Sequence, residues 1–210
     1  APEQDLIQPV IRKAFIDTAF WAGTVNTDKD GYARITFNMP DNLTEWKVCV
    51  WAMGHGTKVG ESKRSVITTK NLLLRLQAPR FFIQGDTLVL SANIHNYLNT
   101  EKKVRSVLEI DGESIEIKDR PVKVIDIKPD EEQRIDWKIK VIKEGRAIIR
   151  MKALTDEQSD AVEMSFPVYV HGIEKRVAFS GFIPDNREKG EIIINVPEKR
   201  RINESRLEIR

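Results

Sequence analysis

The residues best suited to chemistry are a carboxylate-rich turn, three histidines, one cysteine and a short basic run. Asn26-x-Asp28-x-Asp30-Gly31 puts oxygen donors at alternate positions before a glycine, as a calcium loop of EF-hand type does. That loop needs a bidentate Glu at its twelfth position, and counting from Asn26 the twelfth residue is Phe37. The residues after Gly31 alternate as a strand instead of starting a helix, so a polar hairpin turn is expected, with a weak adventitious cation site as the alternative. His55, His95 and His171 fall far apart on three different predicted elements, without ligand-like spacing. An enzyme would have to bring distant residues such as His95 and Asp86 together in one pocket. Cys49, inside Trp46-Lys47-Val48-Cys49-Val50-Trp51, reads as a structural residue on a strand face.

No Gly-x-Ser-x-Gly elbow, phosphate loop or dinucleotide fingerprint occurs. Asp130-Glu131-Glu132 precedes a strand and reads as a solvated turn. Glu198-Lys199-Arg200-Arg201 reads as an exposed turn, its field diluted by Glu198 and Glu204. The sequons Asn42-Leu43-Thr44 and Asn203-Glu204-Ser205 matter only on a glycosylating secretory route. The sequence therefore predicts no catalytic, cofactor-binding or metal site, and no enzyme.

Composition bounds the rest. The 210 residues suffice for one large or two small domains, and 40% apolar content can build packed cores. With 34 basic against 32 acidic residues the formal charge is only +2, interleaved along the chain, so no nucleic-acid footprint is visible. Ala1-Pro2-Glu3-Gln4 lacks the basic head and apolar stretch of a signal peptide, and no apolar run approaches ~20 residues. A single cysteine excludes an internal disulfide framework.

Apolar residues recur with period two through most of the chain, the spacing of strands with one buried face. Ala33, Ile35, Phe37 and Met39 form one such face, and Trp46, Val48, Val50 and Ala52 the next, with a turn at Pro40-Asp41-Asn42 between them. A strand over Ser65–Thr69 completes this first unit, residues 13–70, which follows an N-terminal extension of residues 1–12. Within Glu3–Arg12 a helix is allowed. A second unit, residues 71–170, carries alternating sets at Leu72–Leu76, Leu88–Ile94, Val104–Ile110, Ile115–Ile117, Ile135–Val141, Ala147–Ala153 and Val162–Val170. About seven strands at this spacing predict an immunoglobulin- or fibronectin III-like antiparallel sandwich, with Trp137 the largest core residue. In residues 171–210, Val177, Phe179, Ile192, Ile194 and Val196 still alternate, and a last strand is expected at Arg206–Arg210. That strand would have no partner at the terminus, as in a chain cut from a longer one.

One block is more specific than any short motif. Arg12-Lys13-Ala14-Phe15-Ile16-Asp17-Thr18-Ala19-Phe20-Trp21, then Asp30-Gly31, then the run from Ala33 to Val48 with Pro40-Asp41-Asn42-Leu43-Thr44-Glu45-Trp46, resembles the segment after the bait region in bacterial α2-macroglobulins. Val59-Gly60, Pro79-Arg80-Phe81 with Gly85-Asp86, and Asn93-x-x-Asn96-Tyr97-Leu98 follow in the order that family would place them, and Ser205–Arg210 resembles the run into the thioester domain.

The resemblance implies an all-β chain of tandem macroglobulin-like sandwiches, ending in the first strands of a further β domain. It implies a protease-trapping inhibitor as parent, with proteases, neighbouring macroglobulin-like domains and the thioester domain as partners. Neither nucleic acid nor a small-molecule substrate is implied. The location implied is periplasmic or envelope-associated, lipid anchoring of the parent included. The reactive Cys-x-Glu-Gln motif of the family is absent: Cys49 is followed by Val50-Trp51-Ala52, so the thioester role does not carry over. The competing class is an immunoglobulin-like binding module of a cell-surface adhesin, because alternation alone does not separate the two.

Overall fold

The computed structural model describes residues 6–186, 188–202 and 205–208. They divide into two bodies, one ending at His171 and one beginning at Gly172.

The first body is built around a sandwich whose strands follow the alternation of their apolar residues. Its four-stranded sheet has the order β4 (Leu72–Gln77), β6 (Thr87–Asn96), β10 (Glu132–Val141), β8 (Ile115–Ile117). In the β6/β10 ladder Trp137 lies opposite Leu90 and Ile135 opposite Ala92, so directly paired residues share the inner face. The facing six-stranded sheet runs β1 (Ile11–Arg12), β12 (Ser159–Tyr169), β11 (Gly145–Leu154), β7 (Lys102–Asp111), β9 (Val122–Ile127), with β5 (Phe82–Ile83) also beside β12. All pairings are antiparallel except those of β1 and β5 with β12, which are parallel.

Trp137, Leu90, Ile94, Leu108, Ile139, Ile149 and Met151 are fully enclosed between the sheets. Phe82 meets Phe166 edge-on at 5.5 Å between ring centroids, the arrangement aromatic quadrupoles favour. Turn chemistry sets the corners. Gly112 holds φ 98° in the Asp111-Gly112 turn, and a Cβ there would lie 3.0 Å from the Arg146 carbonyl. Asp130 holds φ 57° after Pro129, a left-handed position that Asp tolerates better than most residues.

Between residues 13 and 71 the chain forms a separate two-stranded ladder, β2 (Glu45–Met53) with β3 (Val59–Ile67). Its side chains are exposed apart from half-buried Trp46.

The structure differs from the sequence expectations at several places. Ala33–Met39 joins no ladder; its apolar side chains stay partly exposed, and Phe37 stacks instead on Phe20 at 5.2 Å. The expected strand Ser65–Thr69 starts earlier, at Val59, and ends at Ile67. β1, β5 and β9 were not indicated by alternation. Leu6–Val10 forms neither helix nor strand, while Glu3–Asp5 lie outside the described residues. Met164 keeps the core-facing phase but is partly open at the rim beside Phe15. In the second body no strand forms among the described residues. Val177, Phe179, Ile192, Ile194 and Val196 are exposed there; alternation without a neighbouring backbone makes no ladder. Of the expected strand Arg206–Arg210, residues 206–208 are not in a strand and Ile209 and Arg210 lie outside the described residues. No described helix is long and apolar enough to cross a membrane.

Candidate functional site

The densest polar construction in the molecule lies where the N-terminal segment, the β2/β3 ladder and the sandwich meet. Its centre is Asp160, fully buried near the start of β12. Asp160 occupies the same strand phase as Val162, Phe166 and Val168, so its carboxylate points toward the apolar interior and must be paired to stay charged. Arg12 supplies two donors, Nε to Oδ1 at 2.9 Å and Nη2 to Oδ2 at 2.6 Å. Lys70 Nζ reaches Oδ1 at 3.0 Å, and the Leu74 N–H reaches Oδ2 at 2.9 Å. Two of the three remaining guanidinium hydrogens go to carbonyls, one on Nη2 to Leu74 at 2.8 Å and one on Nη1 to Asp41 at 3.3 Å. One carboxylate thus ties β1, the linker after β3, and β4 together.

A second knot follows from the Pro40-Asp41-Asn42 turn. The Asp41 carboxylate accepts the N–H groups of Lys13 and Ala14, each at 2.8 Å. These backbone donors, Ala14 first and then Lys13, hold its carboxyl below the usual carboxylate range. The Asn42 side-chain oxygen accepts the Ile16 N–H at 3.0 Å. The Thr68 hydroxyl donates to the Asn42 carbonyl at 2.7 Å and accepts the Trp46 indole N–H at 3.1 Å. The turn therefore clips the segment before it to the root of the β2/β3 ladder. Phe15 packs against the sandwich core, with the Arg12 guanidinium 5.7 Å from its ring centroid.

Chemically this arrangement can hold and orient, but it offers no nucleophile or proton relay open to a substrate. The groups singled out in the sequence lie elsewhere. Asp28 accepts the N–H groups of Asp30 and Tyr32 at 3.0 and 2.8 Å, closing a turn with Gly31 at φ 84°. His95 stacks on Tyr97 at 3.8 Å, whereas Asp86 lies beyond the opposite end of β6, roughly 30 Å away at strand rise. His55 and His171 sit on exposed or partly exposed loops, and Cys49 is exposed on β2 opposite Lys63. No group of three or more metal-ligating side chains gathers among the described residues. Asp130 and Glu131 form the turn into β10, which begins at Glu132; Lys199–Arg201 is exposed. Asn203 and Glu204 of the second sequon lie outside the described residues. Of the five aromatics in the sequence block, Phe15 and Trp46 are half-buried at this junction, while Phe20, Trp21 and Phe37 are exposed.

Arg12, Lys70 and Asp160 were not singled out as partners by the sequence, because Arg12 and Asp160 stand 148 positions apart. The available signal was an Asp on the core-facing phase of an otherwise apolar strand.

The profile of the Alpha-2-macroglobulin family matches residues 18–108, which contain the Asp41-Asn42 turn, Thr68 and Lys70. Residues 18–108 are thus similar to the alpha-2-macroglobulin family. The chain is 35% identical over 85 residues to the alpha-2-macroglobulin homolog of Nostoc sp., covering 40% of this chain and 4% of that one. It is 22% identical over 167 residues to alpha-2-macroglobulin of Thermotoga maritima, covering 79% of this chain and 11% of that one. Among solved structures, Escherichia coli alpha-2-macroglobulin activated by porcine elastase superposes with a TM-score of 0.61 at 18% identity, over 76% of this chain and 15% of that chain. The likeness to that structure is one of fold. The chain spans about a tenth or less of the curated relatives it matches.

Proposed function

We propose that this chain is a mechanical part of an alpha-2-macroglobulin-like protease trap, lying between the bait region and the thioester domain of its parent. In this role, bait cleavage upstream releases a constraint, and the stiff sandwich carries the resulting movement onward. Residues 13–70 would belong to the macroglobulin-like unit that follows the bait, residues 71–170 would form the next sandwich, and residues 171–210 would begin a further β domain. The observation that carries this role is the junction itself: Asp160, Asp41 and Thr68 tie the N-terminal segment, the two-stranded ladder and the sandwich at one point. A pull on the segment before Arg12 would reach all three. Support also comes from the E. coli structure, described as activated by porcine elastase. The partners are then proteases, met through the parent, and the neighbouring domains of the same polypeptide, in a periplasmic or envelope setting.

The experiment is made on the full-length parent. Treatment with elastase or trypsin should produce a rearranged form of altered mobility on a native gel. Trp46→Ala, which removes the indole held by Thr68 and opens the ladder's root, should slow or weaken that change at equal bait cleavage. Unchanged rearrangement would argue against the relay.

A further inference from the structure

We propose that residues 6–16 are a latched strap, held to the sandwich through a guanidinium socket that can open while the sandwich stays folded. The socket is formed by the Asp160 carboxylate and the Leu74 carbonyl, both on sandwich strands, and closed by the Asp41 carbonyl from the strap side. Four of the five guanidinium N–H groups are matched by acceptors. A lysine ammonium cannot reproduce that fork.

The rest of the strap is lightly attached. β1 pairs with β12 over only two residues, Ile11 with Ala161 and Arg12 with Val162. One further backbone bond joins the Ile7 N–H to the Thr155 carbonyl at 3.1 Å. Val10 is 83% exposed, so little apolar burial holds this stretch. Phe15, the Lys13–Glu163 ion pair at 2.8 Å and the socket supply the grip.

What distinguishes a latch from an ordinary buried ion pair is the condition of the socket when empty. A buried carboxylate stripped of its only cation is strongly destabilising. Asp160, without Arg12, still receives Lys70 Nζ and the Leu74 N–H. The anion remains paired, and of the strap's side chains Phe15 is the one packed against the core cluster. The strap leaves the sandwich together with the Asp41-Asn42 turn, which binds Lys13, Ala14 and Ile16 on it. Neither the socket nor its opening requires that the parent trap proteases.

The test uses the 210-residue chain. Native-state hydrogen exchange in low urea should show the strap amides that bond the sandwich, those of Ile7 and β1, opening well below the free energy of global unfolding, while β6 and β10 exchange only with it. In Arg12→Ala, strap amides should exchange at least about a hundredfold faster, and those of β10 within about threefold of the parent chain. Arg12→Lys should fall between. Methylguanidinium should shift the Leu74 amide resonance saturably in Arg12→Ala and leave it unmoved in Arg12→Ala/Asp160→Asn. Strap amides that exchange only through global unfolding in the unaltered chain would overturn the latch, whatever the variants do. No saturable shift up to about 100 mM methylguanidinium would overturn the socket.

Discussion

Single polar side chains set the corners of this all-β molecule, and their value lies in how completely each is used. Asn96, fully buried at the end of β6, donates through Nδ2 to the carbonyls of Thr100 at 2.9 Å and Ile127 at 3.0 Å, and accepts the Leu98 N–H at 3.0 Å. Its own backbone bonds the Glu131 carbonyl and the Asp130 N–H across the Pro129-Asp130 turn. The motif Asn93-x-x-Asn96-Tyr97-Leu98 is therefore a corner staple. Asn96→Ala removes the partners of the buried Ile127 carbonyl and Leu98 N–H and of the part-buried Thr100 carbonyl, so it should lower unfolding free energy by about 2–3 kcal/mol. Urea denaturation should show a lower midpoint with an unchanged slope. A loss under about 0.5 kcal/mol would mean that water replaces the amide. Asn96 was visible in the sequence as part of a motif, but its work was not, since its partners sit on the loop after β6 and at the end of β9.

At the scale of elements, the outer face of the six-stranded sheet carries a line of charge. Arg150 on β11 lies between Glu163 on β12, Glu109 on β7 and Asp111, and Lys13 and Lys152 extend the line at either end. Lys13 and then Arg150 hold the Glu163 carboxyl below its ordinary value. For Glu109, partial burial pushes upward, but Lys152 and Arg150 outweigh it and the net direction is down. A carboxylate lowered on folding stabilises above its unfolded value, and that contribution is lost as pH falls through the lowered folded value. Thermal stability should therefore be level near neutrality and decline below about pH 4.5. Arg150→Met should flatten that acid limb in melts taken from pH 7 to pH 3; an identical limb would show that these pairs do not report on folding. Because these groups are partly exposed, added salt should also shrink the difference. The strands bearing this line were legible: Ala147, Ile149, Met151 and Ala153 are all enclosed, as their alternation required. β9 was not, because Lys123 and Asp126 interrupt its apolar residues and its outer edge has no strand partner, so only Ile127 is fully buried. Ala33–Met39 shows the converse. Alternation tells which side chains want a common face, not whether a neighbouring backbone is present to complete the ladder.

Across the whole first body, stability is distributed unevenly, and the four tryptophans report it. Trp137 is wholly enclosed at the centre of the sandwich, its ring 5.6 Å from Lys123 Nζ. Trp51 is 62% exposed on a two-stranded ladder, and Trp21 is 76% exposed. A two-stranded ladder has little stability of its own in water, whereas the sandwich buries two full apolar faces against each other. The ladder is held at its root by Thr68 and Trp46, and the strap by Arg12, so loss of order should begin there and reach the core last. Chains retaining only Trp51 or only Trp137, the other tryptophans replaced by Phe, should separate the two events. Urea should move the Trp51 signal early and over a broad range, because little surface is exposed in that step. The Trp137 signal should move later and more steeply, and acrylamide should quench it only after that transition. Coincident transitions would mean that ladder and sandwich form one cooperative unit, and a force applied at the strap would then have to break the core before anything moved.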